Sequence, residues 1–344
     1  MDIQTPPSAS AAMLNLINGF HVARALYIAA RLGLADLVKD DAASDCKALA
    51  TLTATDAPSL YRVMRVLVSA GVFEMDERER VSLNPLAETL LKDAPGSLQS
   101  WAISQIGDDP YKAWGDLMYG VRTGGVAFEH VFGCDSWTYR AGHPESAKDF
   151  DEGMASFIGA HNEAVLASYP FASVRKIVDV GGGDGKLITT LLTANPAMKG
   201  VLFEQPRVIE RARQRIAEEG LAACCEVVAG DMFESIPPGG DAYLLSRVIH
   251  DWDDERAIAI LRNCRSAMAP AAKLLLVERV IPARIENSAA MRVLVVSDLH
   301  MMVMNGGRER TEAQYRALFA ATGLNLTRVV STGTAMSIIE GTLA

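Results

Sequence analysis

No two of the five cysteines, Cys46, Cys134, Cys224, Cys225 and Cys264, stand in Cys-x-x-Cys spacing. Their odd count and scattered placement point to reduced thiols in a cytoplasmic protein. Cys224 and Cys225 are adjacent, and in a strand they would face opposite ways. Positive charge is also short: 33 Lys and Arg oppose 42 Asp and Glu, a net charge of −9. An acidic chain repels phosphate backbones and anionic lipids, so neither nucleic acid nor a membrane surface is the expected partner. Long apolar runs are missing too. The most apolar early stretch, Met13 to Val38, is interrupted by His21, Arg24 and Arg31 and reads as a buried helix. The opening MDIQTPPSAS has no basic region followed by an apolar run, so no signal peptide is expected. Aromatics make up only 6%, yet hydrophobic residues make up 49%, which is an ordinary globular balance. A chain of 344 residues is longer than one typical core requires, so two domains are expected.

Residues 1–10 read as a loose tail. From Ala11 to Leu37 apolar residues recur at helical spacing: Leu14, Ile17, Val22, Leu26, Ala29 and Leu32. Two short helices follow, Cys46–Leu52 and Pro58–Ala70. The segment GVFEMDERERVSLNP then reads as a hairpin, with Val72 and Phe73, a charged turn at 76–80, then Val81 and Leu83. Helices followed by a two-stranded wing make a winged-helix-like unit over 1–105. Such units often bind DNA, and Arg62 and Arg65 lie on the second short helix. However, acids outnumber bases in the first hundred residues, and the apolar first helix needs a partner to cover it, so dimerisation fits better. Residues 106–170 form a helical connector broken at Gly107–Pro110, Gly124–Gly125 and Gly142–Pro144. Over 171–344 strands alternate with helices: KIVDVG, GVLFEQ, CEVVAGD, AYLLSRV and KLLLVERV, then LTRVVST and AMSIIEG as an antiparallel hairpin. The expected fold is α/β, a Rossmann-like, mostly parallel seven-stranded sheet behind an N-terminal helical domain.

The first of these strands runs into Gly181-Gly-Gly183-Asp-Gly185. Glycines let a backbone turn sharply and approach a ligand at the carboxyl end of the strand. The spacing is one residue shorter than the dinucleotide fingerprint, and Asp184 inside the loop is awkward for a pyrophosphate. It suits a ligand that carries an ammonium and a sulfonium. Glu204 ends the second strand, where a carboxylate can accept both ribose hydroxyls. Asp231 ends the third and precedes Met232 and Phe233, which can bond an adenine amino group and sandwich its ring. Ser246 and Arg247 end the fourth strand.

With these motifs, and with VIHDWDDE, LLLVERVIP and GGRERT, the chain resembles the plant-type small-molecule O-methyltransferases in their bacterial natural-product branch. The resemblance spans nearly the whole chain. It implies S-adenosylmethionine as methyl donor, and a homodimer whose N-terminal domains interlock and help close the partner's acceptor pocket, with the connector lining that pocket. It also implies that His250 is the general base and that Glu278 and Glu309 flank it. The chain departs from the family pattern in having Glu204-Gln205-Pro206 for Asp-Leu-Pro, and Ser246 where plant members carry lysine.

In-line methyl transfer requires an acceptor oxygen behind the methyl and removal of its proton. A phenol of pKa about 10 facing a histidine of about 6.5 leaves a gap of roughly 5 kcal/mol. The helix after His250 is expected to keep the imidazole neutral, and Glu278 is expected to orient it through its other nitrogen. Asp251 is read as a helix cap or pocket residue. His300, Met301, Met304 and His161 are read as acceptor contacts, the soft methionines suiting a planar apolar molecule. A metal site of His250, Asp251 and His300 is a minor alternative; no metal is expected. C- or N-methylation and a DNA-binding regulator are the competing functions.

Overall fold

The computed structural model describes residues 8–39 and 45–344. Most of the expected N-terminal tail lies outside the described residues. The chain divides into two compact units. One runs through Lys112 and takes in Arg140–Phe157. The other comprises Ala113–Tyr139 and Ile158–Ala344.

In the first unit, helix Ala9–Arg31 starts on Ser8, whose side chain caps the Ala11 amide. The sequence pattern carried this helix to Leu37, but it stops at Leu32. Gly33 takes a left-handed φ of 63°, and a separate helix, Leu34–Lys39, begins after it. The first part of the long helix leaves Met13, Leu14, Leu16, Ile17 and Phe20 more than half exposed. The last part buries Ala25, Ala29 and Ala30. Arg24 and Arg31, which break the apolar run, are both engaged: Arg24 donates to the Ile106 carbonyl at 2.6 Å, and Arg31 pairs with Asp149. Asp45 and Asp56 cap helices Cys46–Leu52 and Ala57–Ser69. The wing is a two-residue pairing of β1 (Glu74–Met75) with β2 (Val81–Ser82). Val72 and Phe73, expected in its first strand, lie instead in the bend before it. There they are buried with Leu34, Leu49, Met64 and Leu67. Each such side chain stabilises the unit by about 2 kcal/mol.

The second unit is built on a seven-stranded sheet. Its strands are β3 (Lys176–Val180), β4 (Lys199–Glu204), β5 (Cys225–Ala229), β6 (Ala242–Ser246), β7 (Lys273–Glu278), β8 (Leu324–Ser331) and β9 (Ser337–Leu343). The order is β5-β4-β3-β6-β7-β9-β8, with only the β9 pairings antiparallel. The expected topology is therefore present, including the final hairpin. Residues alternate between two cores: Val178, Val180, Tyr243 and Leu245 pack on one face, and Ile177, Leu202, Leu244 and Leu275 on the other. Both faces are covered, which is why these strands read as nearly continuous apolar runs. The chain passes from β3 to β4 on one side, and β6 lies on the other. The crevice at this switch point opens at the carboxyl ends of the strands. Because β3 to β7 are parallel, the glycine loop, Glu204, Asp231, Ser246 and Glu278 all leave the sheet at the same edge.

Candidate active site

The glycine loop is shaped by three positive φ values: Gly181 at 70°, Gly183 at 60° and Gly185 at 83°. Only glycine takes such angles without strain. Glu204 holds the loop. Its Oε2 accepts from the Gly183 amide at 2.9 Å and its Oε1 from the Gln205 amide at 2.7 Å. Asp184, the acid inside the loop, is turned away onto Arg215 at 2.7 Å. Beneath the loop, Asp179 is 1% exposed, and neither of its carboxylate oxygens has a hydrogen-bond partner. Burial, with Glu204 and Asp184 nearby, pushes its carboxyl up to about 7. Burial also raises the Glu204 carboxyl. Arg215 compensates Asp184, but no cation compensates Asp179, which fits a ligand bearing an ammonium and a sulfonium.

At the neighbouring strand end, Asp231 is exposed and accepts from the Phe233 amide at 2.8 Å. Met232 and Phe233 are half-buried, and the Phe233 ring meets Trp252 edge-on at 4.9 Å. Asn263 fixes the turn by donating to the Met232 carbonyl at 2.9 Å. Ser246 and Arg247, at the end of β6, are half-buried. Arg247 has a strained φ of 54°. Burial and the neighbouring Arg279 bring its guanidinium down to about 10.

His250 lies in a short 3₁₀ turn, Ile249–Asp251, after β6. The long helix begins only at Asp254 and is capped by Asp253, so Asp251 is not its cap. Glu278, at the end of β7, accepts through Oε1 from the amides of Val248, Ile249 and His250 at 3.1, 2.8 and 3.4 Å. It thus holds the backbone of the turn, and its Oε2 stands 3.5 Å from His250 Nδ1. Glu309 is nearer the ring, with Oε1 at 3.3 Å from Nδ1. The same oxygen accepts from Arg279 at 3.0 Å and Ser297 at 2.7 Å. Both acids thus reach Nδ1, Glu309 through the shorter contact, where Glu278 was expected to orient the ring with Glu309 assisting.

The surroundings of the imidazole favour its charged form, where the following helix was expected to keep it neutral. Burial works against the imidazolium, but Glu278, Glu309 and Asp251 outweigh it and push His250 up to about 9. The helix that was to keep the ring neutral starts too late and opens with two acids, Asp254 and Glu255. Burial raises the Glu278 carboxyl to about 7. Burial would raise Glu309 as well, but His250, Arg279 and Ser297 hold it down at about 2.

Arg310, fully buried, locks the turn from below. It donates to the carbonyls of Ile249 at 2.9 Å and Trp252 at 2.8 Å, and pairs with Asp254 at 2.8 Å. Gly307 must be glycine, because a Cβ there would come within 2.0 Å of the His250 carbonyl oxygen. The GGRERT segment thus supplies one flanking acid, one clamp and one close approach. Arg279, Ser297 and Arg310 were missed in the sequence. The available signal was the pairing of each expected acid with an adjacent arginine, Glu278-Arg279 and Glu309-Arg310.

Asp251 stands 3.8 Å from His250 Nε2 and accepts from Asn305 at 2.8 Å. His300 accepts through Nδ1 from Trp114 Nε1 at 3.0 Å. Met304 is buried in a small cluster with Ala113, Phe128 and Val303, whereas Met301 is half-buried. His161 is half-buried on helix Pro144–Ser168. Among the described residues, the group whose ligand atoms converge is His250, Glu278 and Glu309, within 4.8 Å, and not His250, Asp251 and His300. In this group Glu309 Oε1 pairs with Arg279 and Glu278 Oε1 accepts from three backbone amides, so one oxygen of each acid is already engaged.

An O-methyltransferase domain model matches residues 114–325, and an O-methyltransferase dimerisation domain model matches residues 14–93. The chain belongs to the O-methyltransferase family. It is an S-adenosylmethionine-dependent O-methyltransferase, and the exposed apolar face of its first helix lies within its dimerisation domain. The phenazine O-methyltransferase PhzM of Lysobacter antibioticus is 41% identical over 96% of this chain and 95% of its own length. The phenazine-1-carboxylate N-methyltransferase of Pseudomonas aeruginosa is 32% identical, covering 94% of each chain. The crystal structure of the O-methyltransferase NcsB1 from neocarzinostatin biosynthesis, in complex with S-adenosylmethionine and 2-hydroxy-5-methyl naphthoic acid, superposes with a TM-score of 0.84. Its sequence identity is 30%, over 94% of this chain and 96% of that one. Among the described residues no helix is long and apolar enough to cross a membrane.

Proposed function

We propose that this O-methyltransferase methylates a hydroxyl of a small planar aromatic acceptor of the natural-product kind, with His250 as general base. The observation that carries this reading is the orientation of one buried imidazole. Its Nδ1 faces Glu309 and Glu278, which leaves Nε2 to take a proton. The glycine loop, Glu204, Asp231, Met232, Phe233, Ser246 and Arg247 are the residues that hold the donor. S-adenosylmethionine supplies a methyl group on a positively charged sulfur. In-line displacement by the acceptor oxygen then requires only placement and proton removal.

The flanking acids set the energetics of that removal. Against a phenol near 10, a base near 9 narrows the transfer gap from about 5 to about 1 kcal/mol. The opposing consequence is that less of the imidazole is neutral at pH 7 than for an ordinary histidine. Raising the pH, or placing a positive charge beside the ring, restores the neutral form. A planar acceptor is supported by the half-buried methionine and histidine side chains along helix Ala289–Met304, and by the naphthoic acid bound to NcsB1. The five free, scattered thiols support a cytoplasmic setting.

A nitrogen acceptor is the second reading, favoured by the phenazine-1-carboxylate N-methyltransferase relative. A neutral amine needs a base far less before attack, so the His250–Glu309 pair weighs toward oxygen. Mass spectrometry of small phenols, catechols, aminophenols and hydroxyquinones incubated with S-adenosylmethionine tests both readings. One added methyl on oxygen, lost in His250→Ala, is the expected result. A methyl on nitrogen, or unchanged turnover by His250→Ala, would contradict it.

A further inference from the structure

The base reading assigns Glu278 and Glu309 but leaves Asp251 unexplained, since Asp253 caps the helix. Asp251 Oδ1 lies 3.8 Å from His250 Nε2, the nitrogen that must meet the acceptor. That distance is too long for a hydrogen bond, yet a buried imidazolium and a carboxylate attract strongly across it. Left to themselves they would close to a charge-assisted contact of about 2.8 Å. The same Oδ1 is held from elsewhere, accepting from Asn305 Nδ2 at 2.8 Å. Asn305 in turn cannot flip. An ionised carboxylate only accepts, so the amino group must face Asp251, and the Asn305 Oδ1 then accepts from Ser136 Oγ at 2.7 Å.

Ser136 is well anchored. It is 1% exposed, and it follows Asp135, whose side chain accepts from the amides of Trp137 and Thr138. Trp137 packs against the large core of the sheet. The tether therefore runs from a rigid point, through one amide, to the carboxylate beside the base.

We infer that Ser136 and Asn305 are positioning residues that hold Asp251 off His250 Nε2. Held there, Asp251 raises the basicity of the imidazole without covering the nitrogen that takes the proton. Released, its carboxylate closes on Nε2. Both ring nitrogens are then bonded to acids, and the base is blocked. The inference rests on the reading of His250 as base.

The test is a double-mutant cycle between Asn305→Ala and Asp251→Asn. It is read in two ways: by NMR titration of the His250 ring and by kcat on the acceptor from the panel that turns over fastest. Asn305→Ala is expected to raise the pH at which His250 titrates and to lower kcat about thirtyfold, with donor affinity within about twofold. In the Asp251→Asn background the same substitution is expected to leave the titration unmoved and to cost less than about threefold. Equal costs in both backgrounds, or an unmoved titration in Asn305→Ala, would overturn the tether. Should Asn305→Ala fail to fold, the same cycle with Ser136→Ala decides, with about fivefold expected alone and none beside Asp251→Asn. The base reading fails separately, on persistent turnover by His250→Ala.

Discussion

Two groups of buried acids stand at the carboxyl edge of one sheet, and they are balanced in opposite ways. Around the glycine loop, Asp179 has two unpartnered oxygens, and the Glu204 and Asp179 carboxyls are both pushed upward. Around the 3₁₀ turn, burial raises Glu278 as well, to about 7, but Glu309 is held at about 2, paired with His250 and Arg279. In the first group Arg215 pairs with Asp184 but no cation stands on Asp179, whereas in the second Glu309 meets both His250 and Arg279. A buried negative charge without a partner is costly, so the missing partner must come from outside. The unpartnered Asp179 suits a cationic ligand nearby, and the pairing of Glu309 with His250 and Arg279 suits the catalytic role proposed for His250.

The largest way to break this contrast lies at the base. His250→Ala is expected to lower kcat about a thousandfold while calorimetry finds the affinity for S-adenosylmethionine unchanged. An equal loss of donor affinity would mean that the two groups are not separate devices. Next is the pair around Arg279. Glu309→Ala leaves a buried guanidinium uncompensated and is expected to destabilise the protein by about 3 kcal/mol in urea unfolding, against about 1 for Glu309→Gln. Smaller, and confined to the other group, Glu204→Ala is expected to weaken donor binding about tenfold, with kcat at saturating donor within about twofold.

The smallest effect concerns Asp179. Its folded-state carboxyl, at about 7, lies above the usual carboxylate range, so the folded chain holds a proton that the unfolded chain has already lost. Stability from this group is present below pH about 4 and falls as pH rises through about 7. Asp179→Asn removes that fall. It is expected to raise the melting temperature by a few degrees at pH 8 and to have no effect at pH 4, as read by scanning calorimetry. A pH-independent change would show that the acid is paired in solution.

Much of this was legible in the residues. The strands were, because parallel strands covered on both faces must be apolar throughout, as in KIVDV and KLLLVE. The acids at the strand ends were legible because a parallel sheet brings its carboxyl ends to one edge. The early end of the first helix was carried by the backbone angle of a single glycine, Gly33, which apolar spacing does not register. Arg310 was hidden for another reason. In sequence it is one of several charges in GGRERT, and only the folded chain places it under the Ile249 and Trp252 carbonyls. The imidazole charge was hidden similarly, since it depends on three carboxylates from distant segments. Asn305 and Ser136 are 169 residues apart and carry no shared pattern.

The most direct test is the pH dependence of single-turnover methyl transfer, measured from pH 6 to 10 with an acceptor whose hydroxyl titrates above that range. A base raised to about 9 must first lose its proton, so the rate should climb about tenfold per pH unit and level off near 9. A rate that levels off near 6.5, or does not change with pH, would contradict a His250 base whose basicity is set by Glu309, Glu278 and Asp251.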